Sequence, residues 1–412
     1  MKFWSPFASL LAIAAAAPNS RGGNIIRLPL NRKSTEVAGH VDMSALNTHL
    51  IGVSNKYRQT FSAFEAKTGS AHPLSGKMRS SVGKRGDGVV PLINQGAELW
   101  YGEIDVGTPK QTFNVSIDSG STDLFLPSVS CLDCAGHKMY DAALSSTAKD
   151  ELKITMLSYG AGKVEGNEYS DDIYLGGYEA SNQIFLAASS YSSNFVYPTF
   201  RPDGLVGFAF ENISSLEAKS VFETISDSGV LPENVFSVKL SSTSGESELY
   251  IGGMNSDLYV EDTLTYTAVT EKGYWQVNLE AVSRDGSTVA SNSPSIIDTG
   301  TTMIVTATDA AEAYYQGIPG SSSSTQGEIT YYTIPCNTIG SYTPTFSFGG
   351  RTFDVSEATF NLGPESAGSS DCLGGIAGMS DVDFWVVGGV FLQNVYTVFN
   401  QGNIQVGFAE LA

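Results

Sequence analysis

The sequence predicts a mostly β protein built from two similar halves. Glycine is abundant at 43 residues, and Ser/Thr-rich turns separate short runs of β-branched and aromatic residues, the pattern of many short strands. Helical patterns are few. One five-residue turn also occurs nearly twice. Asp118-Ser119-Gly120-Ser121-Thr122 returns as Asp298-Thr299-Gly300-Thr301-Thr302. Either copy alone reads as a hairpin turn. Together, with apolar runs before and after each, they read as an internal duplication.

Each Asp follows a strand-like run, residues 113–117 in the first copy and 295–297 in the second. Each is followed by apolar residues, Leu124-Phe125-Leu126 and Met303-Ile304-Val305. The glycines Gly120 and Gly300 are expected to supply backbone angles that a Cβ forbids. The neighbouring hydroxyls can bond a carboxylate without adding charge. Two carboxylates from two similar halves are what a shared-proton acid/base pair requires. Gly204-Leu205-Val206-Gly207 and Val386-Val387-Gly388-Gly389 also match each other, and such a strand could pass close behind each Asp turn.

The chain is long enough, at 412 residues, for two or three domains, and its apolar content of 42% is that of a globular protein. Its net charge of −20 argues against nucleic acid or an anionic membrane as partner. That charge is unevenly spread. Residues 1–85 hold 12 of the 23 Lys/Arg and 3 of the 43 Asp/Glu, leaving a basic leader of +9 before a body of −29.

Taken in order, residues 1–17 read as a secretory signal: Lys2, an apolar run over 3–16, and a small-residue end at Ala14-Ala15-Ala16-Ala17. The run is too short to span a bilayer, and no later stretch is long and apolar enough to anchor the chain. Residues 18–85 are polar and basic and end in Lys84-Arg85, which suits a processing site in an exposed linker. The body begins near residue 86, with strands over 99–106 and 113–117 and a turn at Gly107-Thr108-Pro109. Helices are expected at 221–228 and 309–316, each followed by Gly and then Pro.

The four cysteines fall as Cys131, Cys134, Cys336 and Cys372. In a secreted chain they suggest two disulfides, paired locally within each half. Cys131 and Cys134, with His137 nearby, could also be a redox pair or half a zinc site. Glycosylation sequons lie at Asn114 and Asn212. Asn114 is in the strand leading to Asp118 and is expected to be unmodified, so Asn212 is the candidate. With four His and no His-Glu-x-x-His, a zinc hydrolase is disfavoured; no Gly-x-Ser-x-Gly elbow or phosphate loop is present. Gly374-Gly375 reads as a turn.

These residues resemble the pepsin-like aspartic peptidases over almost all of 98–412. The matches are Tyr101-Gly102-Glu103-Ile104, Gly107-Thr108-Pro109, both Asp motifs, Tyr159-Gly160-Ala161-Gly162, Asp203-Gly204-Leu205-Val206-Gly207, Tyr274-Trp275 and 391–399. A signal and basic pro-segment also suit a secreted zymogen of that family. The resemblance implies a bilobal fold of two pseudo-symmetric, β-barrel-like lobes with a cleft between them, an N-terminal lobe over 86–270 and a C-terminal lobe over 271–412. It makes Asp118 and Asp298 the catalytic pair. Ser119 and Thr299 would link the lobes beneath them, and Ser121 and Thr301 would bond the outer carboxylate oxygens. Tyr159, Gly160 and Ala161 would form the tip of a flap over the substrate.

Three positions depart from the family pattern. Phe125 stands where a Trp usually bonds the flap tyrosine, so flap positioning must differ. Ala161 stands where Thr, Ser or Asp is usual, and Gly389 where Asp is usual.

The implied activity is acid endopeptidase action on polypeptides by a monomer, without metal or cofactor. Cleavage is expected between bulky apolar residues, in a cleft lined by Tyr159, Phe195, Phe200 and Phe208, and poor after Lys because Ala161 is uncharged and Lys163 is close. The basic leader would fill the cleft as an intramolecular inhibitor, with Lys56-Tyr57-Arg58 set against the pair. A catalytically dead binding protein on the same scaffold would predict a damaged Asp motif, and both motifs are intact. A β-rich cell-wall or adhesion module would explain the glycine and serine but not the duplicated turns.

Overall fold

The computed structural model describes residues 27–33, 36–37, 39–78, 99–159, 162–243 and 245–412, the first two stretches as backbone. The expected signal segment, Lys84-Arg85, Gly160 and Ala161 lie outside the described residues.

The strand Gln111–Asp118 carries the first Asp. Phe113, Val115 and Ile117 bury one face of it, as alternation requires. The strand Gly204–Gly207 runs parallel to it, with Gly207 opposite Asp118, and antiparallel to Leu124–Pro127. The second half repeats the arrangement. Trp385–Val387 runs parallel to Ser287–Ile297, with Val387 opposite Ile297, and antiparallel to Ile304–Ala307. Outside these, Leu124–Pro127 pairs in parallel with Tyr178–Tyr191, and Ile304–Ala307 with Ile376–Met379. The duplication read from two short motifs is therefore a repeat of topology.

The strand behind each Asp turn does pass too close for a side chain. A Cβ on Gly207 would stand 2.3 Å from the Thr122 carbonyl carbon, and one on Gly388 would stand 2.2 Å from the Thr301 oxygen. Gly389 has a similar reason: its Cβ would meet the Trp100 indole at 2.8 Å.

The fold is mostly β and two-lobed. A long hairpin, Lys149–Tyr159 and Gly162–Leu175, rises from the first lobe, with Tyr159 paired to Gly162 at its end. A six-stranded antiparallel sheet joins the halves, in the order Arg27–Lys33, Ser247–Ile251, Val235–Lys239, Val395–Asn400, Gln405–Glu410 and Thr265–Glu271. Disulfides close locally, Cys131 to Cys134 and Cys336 to Cys372. The zinc alternative lapses, as zinc ligation would need free thiolates and His137 Nε2 is bonded to the Phe195 carbonyl. Gly374 ends the strand Asp371–Gly374, and Gly375 alone separates it from Ile376–Met379, so the expected turn is a one-residue bend.

Both expected helices form, as Val221–Asp227 and Thr308–Tyr315. The first carries a reciprocal cap between Ser220 and Glu223. A third was not foreseen as an element. Met43–Thr68 is a 26-residue helix, capped by the Asp42 carboxylate on the Ala45 N–H and ended by Gly69 in the left-handed conformation. Leu46, Leu50, Val53, Tyr57, Phe61 and Phe64 recur at three- and four-residue spacing and form its buried face. That face packs on Tyr274, Ile296, Met303, Phe384 and Val386 of the second half.

Candidate active site

The two Asp turns meet at the floor of the cleft. Ser119 and Thr299 exchange bonds across it: each backbone N–H donates to the other's hydroxyl at 2.9 Å. Each hydroxyl in turn donates to the opposite half, Ser119 to the Ile297 carbonyl and Thr299 to the Ile117 carbonyl, both at 2.9 Å. These four bonds are fully buried and join the lobes directly beneath the carboxylates.

Asp118 and Asp298 are held in matching ways. Ser121 donates to Asp118 Oδ2 at 2.6 Å, and Thr301 to Asp298 Oδ2 at 2.7 Å. The Gly120 and Gly300 amides each donate at 2.9 Å to the Oδ1 of the Asp two residues before. The glycines are needed for a different reason from the one expected. Neither has a left-handed φ. A Cβ on Gly120 would stand 2.5 Å from the Asp298 carboxyl, and one on Gly300 would stand 2.3 Å from Asp118 Oδ1. Each glycine makes room for the carboxylate of the other lobe.

The helix Met43–Thr68 lies across this floor. The Lys56 ammonium sits 3.1 Å from Asp118 Oδ1 and 2.7 Å from Asp298 Oδ2. Tyr57 donates its hydroxyl to Asp298 Oδ2 at 2.8 Å. Arg58 reaches the second half, with Nη2 2.6 Å from Asp381 Oδ2. The tripeptide singled out in the basic leader thus engages four carboxylates, the fourth being Glu328 at 3.8 Å from Arg58 Nη2. His49 Nε2 accepts the Thr302 amide at 3.1 Å beside them.

Burial is the largest influence on both central carboxylates and raises both. For Asp118 it prevails, helped by the charge of Asp298 and opposed by Lys56. For Asp298 it is outweighed by Lys56, the Thr301 hydroxyl and Asp118, so this carboxyl stays below its ordinary range. The two are driven apart, a split that aspartic peptidases show as a class. Burial alone would lower Lys56; the two carboxylates hold it above the ordinary lysine value.

Tyr159 is buried at the end of the hairpin. Its ring lies 5.1 Å from Phe125 and 5.9 Å from Phe195. Its hydroxyl reaches the Asp123 carbonyl at 3.5 Å, so with no indole N–H available the ring is seated by aromatic packing. Tyr159, Phe195, Phe200 and Leu205 line a cavity of about 80 Å³ left beside the helix. Phe208, expected among them, does not reach the cleft. It is 1% exposed and packs on Phe222 and Phe236 in the first lobe. Its parity on the chain places it on the core side of the turn after Gly207, which the motif alone did not reveal. Asn212 sits in a short 3-10 turn, partly exposed, its amide 3.4 Å from the Lys272 carbonyl.

Two lobes, a cleft and two Asp turns bonded back to back define an aspartic peptidase. The model of the eukaryotic aspartyl protease family matches residues 99–411, and the chain belongs to that family. It is 40% identical to an aspartic protease of Phaffia rhodozyma over 79% of this chain and 80% of that one. It is 33% identical to pepsin A of Sus scrofa, over 84% and 89% of the two chains. It is also 32% identical to the major aspartyl peptidase 1 of Cryptococcus neoformans, over 80% and 72%. The enzyme is an aspartic endopeptidase.

His49, Asp123 and Asp381 were not singled out in the sequence. His49 lies on the helix and Asp381 accepts from it, and no local motif marks either. Asp123 directly follows the first Asp turn. It is buried and accepts from Ser214 and from the Ser215 amide at 2.5 and 2.9 Å, bracing the wall on which Tyr159 rests.

Proposed function

We propose that this is a secreted acid endopeptidase made as a latent precursor, with Asp118 and Asp298 as its catalytic pair. The single observation carrying this reading is the Lys56 ammonium seated between the two carboxylates. A lysine there blocks the place where a substrate carbonyl and its water must sit, so the folded precursor cannot act.

Once the helix leaves, the pair shares one proton, since two adjacent carboxylates cannot both ionise cheaply. The ionised member takes a proton from a water lodged between them while the protonated member polarises the peptide carbonyl. Water adds to give a tetrahedral diol. The roles then reverse, and the leaving amine takes up the proton. Ser121, Thr301 and the two glycine amides hold the carboxylates in place throughout, and Ser119 and Thr299 fix the spacing of the two lobes.

The remaining assignments follow from this reading. Residues 1–17 form the signal, 18–85 the inhibitory pro-segment, and 86–270 and 271–412 the lobes that carry Asp118 and Asp298. Tyr159, with Gly160 and Ala161, closes over polypeptide substrates, and the aromatic cavity favours bulky apolar side chains at the scissile bond. Asn212 carries the glycan. The mature enzyme is a monomer delivered to the exterior or to an acidic vacuole.

The test is cleavage of denatured haemoglobin across about pH 3 to 7, by untreated and acid-treated chain. Latency before treatment, and pepstatin-sensitive acid cleavage after it, support the reading. Full activity in the untreated chain at acid pH, with residues 18–85 intact, would refute latency.

A further inference from the structure

Asp381 lies between the strands Ile376–Met379 and Trp385–Val387 and is 1% exposed. Its Oδ2 accepts from Arg58 Nη2 at 2.6 Å and from the Ser54 hydroxyl. Both donors belong to the helix, one turn apart. Its Oδ1 is buried with no hydrogen-bond partner among the described residues. Glu328 brings a second carboxylate to the same guanidinium, 3.8 Å from Arg58 Nη2. Among the described residues, no donor from the body of the enzyme holds Asp381 in place.

This carboxylate stands beside the catalytic floor. Arg58 follows Lys56 by two residues, so the two leave the helix on different faces and reach different carboxylates, Asp381 and the central pair. Tyr57, between them, bonds Asp298 and packs its ring edge-on against Phe384 at 5.6 Å. The segment from Asp381 to Phe384 is thus a wall of the cleft on the Asp298 side. When the helix leaves, that wall loses both of its donors and gains an unpaired acidic group. A carboxylate uncovered in this way is open to a cation of the substrate, and a guanidinium, with its forked donors, restores the lost bonds best.

We propose that Asp381, aided by Glu328, is a cation-recognising subsite of the mature cleft. It selects polypeptides that carry an Arg or Lys side chain near the scissile bond, a place that Arg58 fills in the precursor. This rests on the reading that the helix is an inhibitor released on activation. The selected residue is not the one whose carbonyl is attacked, because Tyr159 and the apolar cavity beside it belong to the first lobe and Asp381 to the second. The apolar cavity and the acidic subsite thus read different positions of one substrate.

The experiment uses the acid-treated full chain and a set of fluorogenic peptides built around one bond between two Phe residues. A single Arg or norleucine is placed in turn at each flanking position, and the kcat/KM ratio of each pair is read. A charge-assisted bond predicts a ratio of about tenfold or more at one position. Asp381→Asn should bring that ratio close to one, and Asp381→Lys should transfer the preference to Glu. Glu328→Gln, at a partly exposed position, should reduce the ratio without abolishing it, and serves if the Asp381 variants fail to fold. Ratios within about twofold at every position of the wild type would overturn the proposal, as would a preference that survives in Asp381→Asn. The untreated chain is assayed alongside. If it is fully active, latency falls, and the same ratios measured on it still decide the subsite.

Discussion

Gly300 lies so close to Asp118 that a Cβ added to it would stand 2.3 Å from Oδ1. The two belong to opposite lobes, so this glycine sets how near the carboxylates approach each other. Gly300→Ala should fold and still lose catalysis. A displacement of about 1 Å at reacting groups can cost roughly 100-fold in rate. The checks are kcat on a peptide substrate and a thermal melt. An alanine variant with wild-type kcat would remove the spatial argument for both glycines.

Thr299 is the other half of the lobe junction. Thr299→Ala strands the Ser119 amide and the Ile117 carbonyl in a buried site, at a cost of about 1–3 kcal/mol for each unpaired group. Thr299→Ser keeps the hydroxyl and should restore most of the loss. Urea unfolding of the two variants distinguishes this from a simple volume effect, in which Ser and Ala would behave alike.

Acid release of the helix has a definite sign at His49. Burial, and next the Lys56 charge, lower this imidazole to about 4 in the docked state, with Asp298 opposing. Released, it titrates near the ordinary histidine value of about 6.5. The docked helix therefore binds fewer protons than the free one between these values. Its docking is intact above 6.5 and is progressively lost as pH falls toward 4. His72 is also lowered to about 4 by burial, stacked on Phe61 at 4.8 Å, and acts in the same direction. His49→Gln should shift the midpoint of acid activation to lower pH. An unchanged midpoint would mean that the carboxylates alone set the trigger.

Lys56 and Arg58 should control latency together. Lys56→Ala with Arg58→Ala leaves Asp118, Asp298 and Asp381 without their cations, and breaking the buried Lys56 pairs costs about 3–5 kcal/mol. The double variant is expected to cleave casein without a prior acid treatment. Unchanged latency would show that the apolar face of the helix is sufficient to hold it.

The hairpin tyrosine is seated by its ring. Its hydroxyl bond to the Asp123 carbonyl is long, at 3.5 Å. Tyr159→Phe should lower kcat/KM by less than about fivefold, in keeping with a weak bond, whereas Tyr159→Ala should cost far more. A large loss in the Phe variant would give the hydroxyl the role denied to it here. In the same assay, peptides with Lys on the amino side of the bond should be cut poorly, given exposed Lys163 near the hairpin end.

Much of the site was legible because it is written in contiguous residues. The Asp118 and Asp298 turns, their hydroxyls and the glycine-containing strands behind them are short local patterns repeated in two halves. The cysteine pairs were legible for the same reason. The long helix leaves its trace in the three- and four-residue spacing of Leu46, Leu50, Val53 and Tyr57, set within a polar and basic segment. What stayed hidden depends on contacts between distant segments. Phe208 turns inward to Phe222 and Phe236, Trp100 occupies the space beside Gly389, and Asp381 meets Arg58 across 323 residues. No pattern within either segment marks these meetings.

The most direct test of the dyad is a parallel assay of wild-type chain and Asp118→Asn, both acid-treated, on denatured haemoglobin at acid pH. Asparagine keeps the shape and the Ser121 contact but cannot exchange a proton. The wild type should cleave, with pepstatin blocking it, and the variant should retain its fold while losing activity by at least about 1,000-fold. Cleavage by a folded, processed Asp118→Asn within tenfold of wild type would contradict catalysis by Asp118 and Asp298.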